Sequence, residues 1–446
     1  MKVPAPPPSI DEILARTPAD RLLTVLMPSE SSAMTEEYLP WDRLRYKTPP
    51  DGLSVEEWWL RTKWARRSVQ RQIKALVNID GSLFNYSLPD SLLQMNDEIT
   101  RGASGQITVS EQVTDASTRD RYVISSLIEE AITSSQLEGA ATSRRVAKDM
   151  IRSGREPQDR SERMIYNNYM AMRRIVELRH TDLTPALIRE IHRIVTDGTL
   201  DNPAAAGVIQ DNDAERIAVW GEGEQLLHRP PSATELPERL ERLCGFANGT
   251  YDQTYMPPAL RAIAIHFMMG YDHYFEDGNG RTARALFYWS MLREGFWLTE
   301  FLTISKILKE APAQYARSFL LTEEDDGDLT HFFLYHLNVI VRAINDLHTY
   351  LAKKAEELRD LQTTIRATPG EYNYRQLSVL EHAVKNPNAV YSAQSHAGSH
   401  NISQQSARND LSALEARGLL RRIKLGRRYA WVPETGLPGR LKPDDN

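Results

Sequence analysis

From Thr118 to about Ala355 the apolar residues recur at helical spacing almost without a break. Ile124, Leu127, Ile128, Ala131 and Ile132 line one face of a first helix, and Gly139 stands where that helix must stop. The same rhythm predicts helices near 143–153, 160–179, 184–197, 235–248, 259–271, 280–294 and 329–360. Only the stretch from Arg216 to Arg229 departs from it. There, Arg216-Ile217-Ala218-Val219-Trp220 and Gln225-Leu226-Leu227 flank Gly221-Glu222-Gly223-Glu224, the pattern of a β-hairpin with a Gly-rich turn. A chain patterned in this way is mainly α.

The flanks read differently. Residues 1–35 are rich in Pro and Ser and are expected to be a mobile segment. Residues 36–117 suggest a small mixed domain: Ser54 to Val77 has helical spacing with Trp58, Trp59 and Trp64, and strand-like pieces follow around Leu83–Ser87 before Pro89. A charged helix near Leu347–Leu361 marks a linker over 346–370, and 371–446 forms a separate module. For 446 residues, about three domains is the ordinary count.

Composition narrows the function classes. An apolar fraction of 41% supports a sizeable core, and a net charge of −6 points to neither a nucleic-acid nor a membrane partner for the chain as a whole. The single cysteine, Cys244, excludes an intrachain disulfide and a thiolate-rich metal site, and its apolar helical setting suits a buried thiol. No stretch reaches the ~18 apolar residues of a membrane span, and the N-terminus has no apolar signal region. The expectation is a cytoplasmic protein with no membrane partner.

The chemistry concentrates in His273-Tyr274-Phe275-Glu276-Asp277-Gly278-Asn279-Gly280-Arg281-Thr282-Ala283-Arg284. Two apolar helices flank this loop; Pro257-Pro258 opens the first and Gly295 ends the second. Gly278-Asn279-Gly280 allows a tight turn that aims backbone N–H groups at one spot, at the positive end of the following helix. Arg281 and Arg284 share a face of that helix and can clamp phosphate oxygens. Asp277 offers a hard oxygen to Mg²⁺, and His273 is a base titrating near neutrality. Together these groups suit in-line attack on a bound nucleotide. No G-x-x-x-x-G-K-(S/T) occurs, so the P-loop route is excluded.

This segment resembles the signature of the Fic family, H-x-F-x-(D/E)-G-N-G-R-x-x-R, at all eight specified positions; Tyr274 stands where many members have Pro. The resemblance implies a Fic-type helical core over 118–345 with a β-hairpin flap at 209–230. It also implies a protein adenylyltransferase that moves AMP from ATP to a hydroxyl of a target protein. His273 would deprotonate that hydroxyl and Asp277 would hold Mg²⁺. Gly278, Asn279 and Gly280 would stabilise the α-phosphate, Arg281 and Arg284 would hold the outer phosphates, and Phe275 would anchor the loop. Leu187-Ile188-Arg189-Glu190-Ile191-His192 resembles the helix before the flap, with His192 structural. Tyr315 is a candidate for the adenine wall.

The predicted helix over 118–139 ends Ser134-Ser135-Gln136-Leu137-Glu138-Gly139, where Glu138 meets the negative end of the helix dipole, a local cost. The segment is similar to the family's inhibitory motif (S/T)-x-x-x-E-(G/N). That similarity implies that Glu138 pairs with Arg284, Ser134 and Gly139 completing the motif. In relatives the same glutamate can position water to remove AMP, and phosphate, UMP or phosphocholine can be the group moved; these alternatives stay open.

The module over 371–446 reads as three helices and a hairpin, which looks like a winged helix-turn-helix. It holds 11 Lys and Arg against 7 Asp and Glu. Six bases lie between Arg417 and Arg428 with no acid among them. Gln404, Gln405, Arg408 and Asn409 fall on the outer face of its third helix, and Arg422, Arg427 and Arg428 on the wing. DNA is one partner such a surface suits; protein docking or a homodimer is another. A DNA-binding regulator whose Fic domain senses nucleotide or modifies itself is therefore the competing reading.

Overall fold

Two helices that are buried on nearly every side form the centre of the larger part of the molecule. In the computed structural model these are Pro258–Asp272 and Asn279–Arg293, and almost every side chain of both is buried. The first is apolar all round and must be packed on all sides, while the second also buries Asn279, Arg281, Thr282, Arg284 and Ser290. Arg160–Glu177, Pro185–Thr196 and Leu236–Ala247 supply that cover. The structure describes residues 3–26, 37–50, 52–104, 116–216, 218–220, 226–251, 254–367, 372–387, 389–425 and 428–441.

The chain divides into two compact units, one of residues 1–107 and 123–345, the other of 108–122 and 346–446. The N-terminal region is thus part of the same unit as the helical core. Its ties are specific: Lys63 Nζ lies 2.6 Å from Asp325 Oδ1, and the Ser87 N–H donates to Thr330 Oγ1 at 2.8 Å. Of the segment 1–35 expected to be mobile, residues 10–26 instead form helices Ile10–Arg16 and Ala19–Leu26, while 1–2 and 27–35 lie outside the described residues. Ile13 and Val25 pack with Leu60, Trp58 and Trp59, an anchorage that local composition cannot reveal.

A second correction concerns Ser54–Val77. The helix runs only from Val55 to Arg67, begun by a reciprocal Ser54/Glu57 capping box. Arg71–Val77 is a strand, paired antiparallel with Leu83–Tyr86. The departure from α-helix begins earlier than the expected Arg216. After Thr196 only short 3-10 turns at Pro203–Ala205 and Asp213–Glu215 occur, among the described residues, before strands Val219–Trp220 and Leu226–His228, which pair antiparallel. The Gly-rich turn between them lies outside the described residues. The expected linker helix is continuous with the core: one helix, Thr330–Ala367, crosses residue 345, because no Gly or Pro interrupts it. Cys244 is buried, and burial pushes its thiol up to about 12.

In the second unit, helices Tyr374–Lys385, Ala393–His400 and Gln404–Ala416 precede strands Leu420–Leu425 and Arg428–Pro433. Val379, Leu380, Leu411, Leu414, Leu420 and Trp431 form their core. No helix among the described residues is long and apolar enough to cross a membrane.

Candidate active site

His273 ends the helix Pro258–Asp272 in the left-handed conformation, φ 50° and ψ 57°. For a non-glycine residue this costs on the order of 1–2 kcal/mol, and tertiary contacts must hold it. Its Nδ1 lies 3.2 Å from the Gly270 carbonyl. A carbonyl has no proton to give, so Nδ1 is the donor and the free lone pair sits on Nε2. Burial pushes the imidazole below its ordinary range, outweighing that hydrogen bond, so the ring is neutral at pH 7. A neutral imidazole with Nε2 unprotonated is ready to act as a base.

Five residues further on, the chain turns into the helix Asn279–Arg293 through Gly278, at φ 83°. A Cβ there would lie 2.6 Å from Thr196 Cγ2, so only glycine lets the loop approach this closely. Among the described residues no side chain caps the first turn of that helix, which leaves its N–H groups available to an anion. The Asn279 side chain closes the loop: Nδ2 donates to the Phe275 carbonyl at 2.7 Å and Oδ1 accepts the Phe275 N–H at 3.0 Å. Phe275 is fully buried beneath, stacked on His192 at 3.7 Å.

His192, expected to be structural, bridges two backbone segments. The Gly207 N–H donates to Nδ1 at 2.8 Å, so Nε2–H donates to the Asp277 carbonyl at 2.7 Å. Burial lowers its pKa to about 4, against the opposing hydrogen bond. Asp277 itself is half exposed; one carboxylate oxygen accepts the Gly278 N–H, and the other faces Arg281 at 3.6 Å. Arg281 is buried. It donates through Nη1 to the Val195 carbonyl at 2.6 Å, and its Nε has no acceptor among the described residues. Part of the expected phosphate clamp is therefore spent on tying the loop to Pro185–Thr196.

Arg284 takes a different partner. Its Nη2 donates to Glu138 Oε1 at 2.7 Å and to the Ser134 carbonyl at 3.0 Å, and its Nε to Ser134 Oγ at 2.8 Å. Glu138 follows the helix Ala116–Leu137, and Gly139 turns the chain away at φ 90°. A Cβ on Gly280 would run into the Glu138 carboxylate, so this carboxylate lies over the first turn of the helix that carries Arg284. The cost of an acid at one helix's C-terminus is thus met by a guanidinium and another helix's positive end. The Tyr315 hydroxyl is 2.7 Å from His266 Nε2, both groups lying deep beside Arg284.

Sequence reasoning missed two tethers. Arg216, at the base of the hairpin, donates to the Asp272 and His273 carbonyls at 2.7 and 2.6 Å, and to Pro231 O and Gln210 Oε1. His228, on the returning strand, contacts Glu323 Oε2 and the Tyr271 carbonyl, each at 2.7 Å. Arg216 stood out only as the first residue where the helical rhythm failed. The second unit carries none of this machinery: Gln404, Gln405 and Arg408 are exposed on its third helix, and Arg422 on its hairpin. Arg427 and the side chain of Arg428 lie outside the described residues.

These relationships define a helical domain built to present an imidazole and an uncapped helix N-terminus on one braced loop. Residues 182–291, which include the whole loop, match the model of the Fic/DOC family. The fold is similar to that of a Fic family protein from Desulfovibrio desulfuricans G20, with a TM-score of 0.52 and 15% identity over 78% of this chain and 97% of that one. The proteins named "Protein adenylyltransferase Fic" from Drosophila melanogaster and Drosophila simulans are each 32% identical to it over 115 residues. That match spans 26% of this chain and about a fifth, 21%, of each relative.

Proposed function

We propose that this chain transfers AMP from ATP to a hydroxyl of a target protein and that Glu138 restrains the transfer. The observation that carries this reading is His273 with its free Nε2, held on the same braced loop as the uncapped N-terminus of Asn279–Arg293. The Drosophila relatives bear the name of that activity.

In the reaction, Nε2 takes the proton of the target hydroxyl as its oxygen bonds to the α-phosphorus. The bond from that phosphorus to the bridging oxygen breaks, pyrophosphate leaves, and the imidazolium later gives its proton to water. The N–H groups of the first helical turn face the developing negative charge. The Arg281 Nε, which has no acceptor among the described residues, and the Arg284 guanidinium would hold the outer phosphates.

Asp277 fits Mg²⁺: a half-exposed carboxylate beside the anion site suits an ion that takes one or two protein carboxylates and otherwise phosphate and water. Bound there, the ion would neutralise phosphate charge. The hairpin exposes Val219, Trp220 and Leu226, an edge suited to adding a strand of the target. Glu138 places a carboxylate beside Arg284, where a phosphate would otherwise pair, and so competes with productive binding.

The test is mass spectrometry of Glu138→Gly and native protein incubated with ATP, Mg²⁺ and cell lysate. An AMP adduct, on the chain itself or on a lysate protein, should be more abundant with Glu138→Gly. Equal adducts from both proteins would refute the restraint. An adduct of another mass, or none, would refute AMP transfer.

A further inference from the structure

The second unit carries a surface that nucleotide transfer leaves unused. We propose that it binds double-stranded DNA, with the helix Gln404–Ala416 in the major groove and the hairpin of Leu420–Leu425 and Arg428–Pro433 against the phosphate backbone.

The geometry begins with a short turn. Helix Ala393–His400 ends at Asn401 in the left-handed conformation, φ 49° and ψ 52°, and its N–H donates to the Ala397 carbonyl. Ser403 caps the next helix by accepting the Ser406 N–H. Three residues, 401–403, thus separate two helices, the turn length of a helix-turn-helix. Asp410 locks this pair onto the first helix. It accepts from Arg375 Nε at 2.6 Å and Asn373 Nδ2 at 2.8 Å, and lies 3.3 Å from His396 Nε2. Tyr391 pairs with Trp431 as an antiparallel bridge, which fixes the hairpin beside the helices.

Packing decides which face is left over. Ala407, Asp410, Leu411 and Leu414 are buried, so Gln404, Gln405, Arg408 and Asn409 are presented outward. No apolar side chain is among those four, which disfavours a protein partner, whose interface centres are apolar. Amide and guanidinium groups are the ones that pair with adenine and guanine edges. Gln405 Nε2 donates to Asn409 Oδ1 at 3.0 Å, so two of these amides are already aligned. On the hairpin Arg421, Arg422 and Lys424 are exposed. Two acids lie beside these three bases, Glu415 near Arg422 and Trp431 Nε1 and Glu434 near Arg421, so the bases outnumber the acids. The charge left over is positive, complementary to phosphate.

Fluorescence anisotropy of the full chain with a labelled random-sequence DNA duplex tests this. Binding should weaken with salt at a log–log slope of about −2.7 or steeper, from roughly three phosphates at about −0.9 each. Arg421→Glu combined with Lys424→Glu should weaken it at least about tenfold. Gln405→Ala combined with Arg408→Ala should keep binding to random duplex but lose preference for duplexes selected from genomic fragments. No binding at about 50 mM salt, binding indifferent to the charge reversal, or tighter binding to single strands or duplex RNA would overturn the proposal. Thermal melting shows that each variant is folded. AMP self-modification measured on the same samples separates loss of this surface from any failure of the transfer reaction.

Discussion

The Tyr274 hydroxyl donates a 2.6 Å hydrogen bond to the carboxylate of Asp272, and the two residues thereby bracket His273 in its left-handed conformation. The other Asp272 oxygen accepts from Arg239 Nε at 2.8 Å, and both Asp272 and Tyr274 are fully buried. The loop is braced here by a buried hydroxyl. Tyr274→Phe leaves a buried carboxylate oxygen short of a donor, at a cost of about 1–3 kcal/mol. Thermal unfolding should report that loss. Transfer should slow by roughly tenfold or more with Mg-ATP affinity unchanged, since misplaced groups lose rate before binding.

Removing the base is a more direct test. His273→Ala should lower transfer by about 10²–10⁴-fold, the usual contribution of a general base, while calorimetry still shows Mg-ATP binding. A rate within threefold of native would mean that another group accepts the proton.

Arg216 should act on the rate through the loop. Its guanidinium holds the carbonyls of Asp272 and His273, so Arg216→Ala should lower kcat by roughly tenfold and leave nucleotide affinity alone. Arg216→Lys should recover little, because one ammonium cannot reproduce the planar fork that reaches four acceptors. An equal loss of affinity and rate would assign Arg216 to nucleotide binding instead.

Ser134→Ala should weaken the restraint less than Glu138→Gly does. It removes one of the acceptors on Arg284 and keeps the ion pair. Loss of a hydrogen bond to a charged group is worth about 1.5–3 kcal/mol, the upper bound on the gain in self-modification. Quantitative mass spectrometry of the native chain and both variants should rank them in that order.

The histidines set two opposite pH effects. His192 is depressed to about 4, so its contribution to stability is full above the ordinary ~6.5 and declines as pH falls from there towards about 4. For His228, burial works against the charge, but the Glu323 carboxylate prevails and raises the pKa. Its contribution is full below ~6.5 and is lost as pH rises through the raised value. Stability measured against pH should show a shallower acid slope in His192→Phe, where His273, His266 and His336 still act in the same direction, and a shallower slope above ~6.5 in His228→Phe.

Several features were legible in the chain because their causes are local. Helical spacing located the two central helices, and Ser54, Ser143, Asp159 and Thr184 begin helices by accepting N–H groups with their own side chains. Gly278 and Gly280 marked the tight approach at the loop. The strand Arg71–Val77 was not legible, since its apolar residues also fit a helix and only pairing with Leu83–Tyr86 settles the matter. Nor was the anchorage of residues 10–26, which rests on Trp58, Trp59 and Leu60 further along the chain.

By itself, then, the order of residues determined a helical class and a loop whose glycines, asparagine and histidine demand a particular backbone path, because dihedral preference and periodicity act over a few neighbours. Tertiary structure decided what surrounds that path. Arg216 reaches His273 from 57 residues away and Glu138 reaches Arg284 from 146, distances at which no periodicity operates. Such pairs form only when packed helices hold both side chains in place, and there burial decides which acid and which base remain charged.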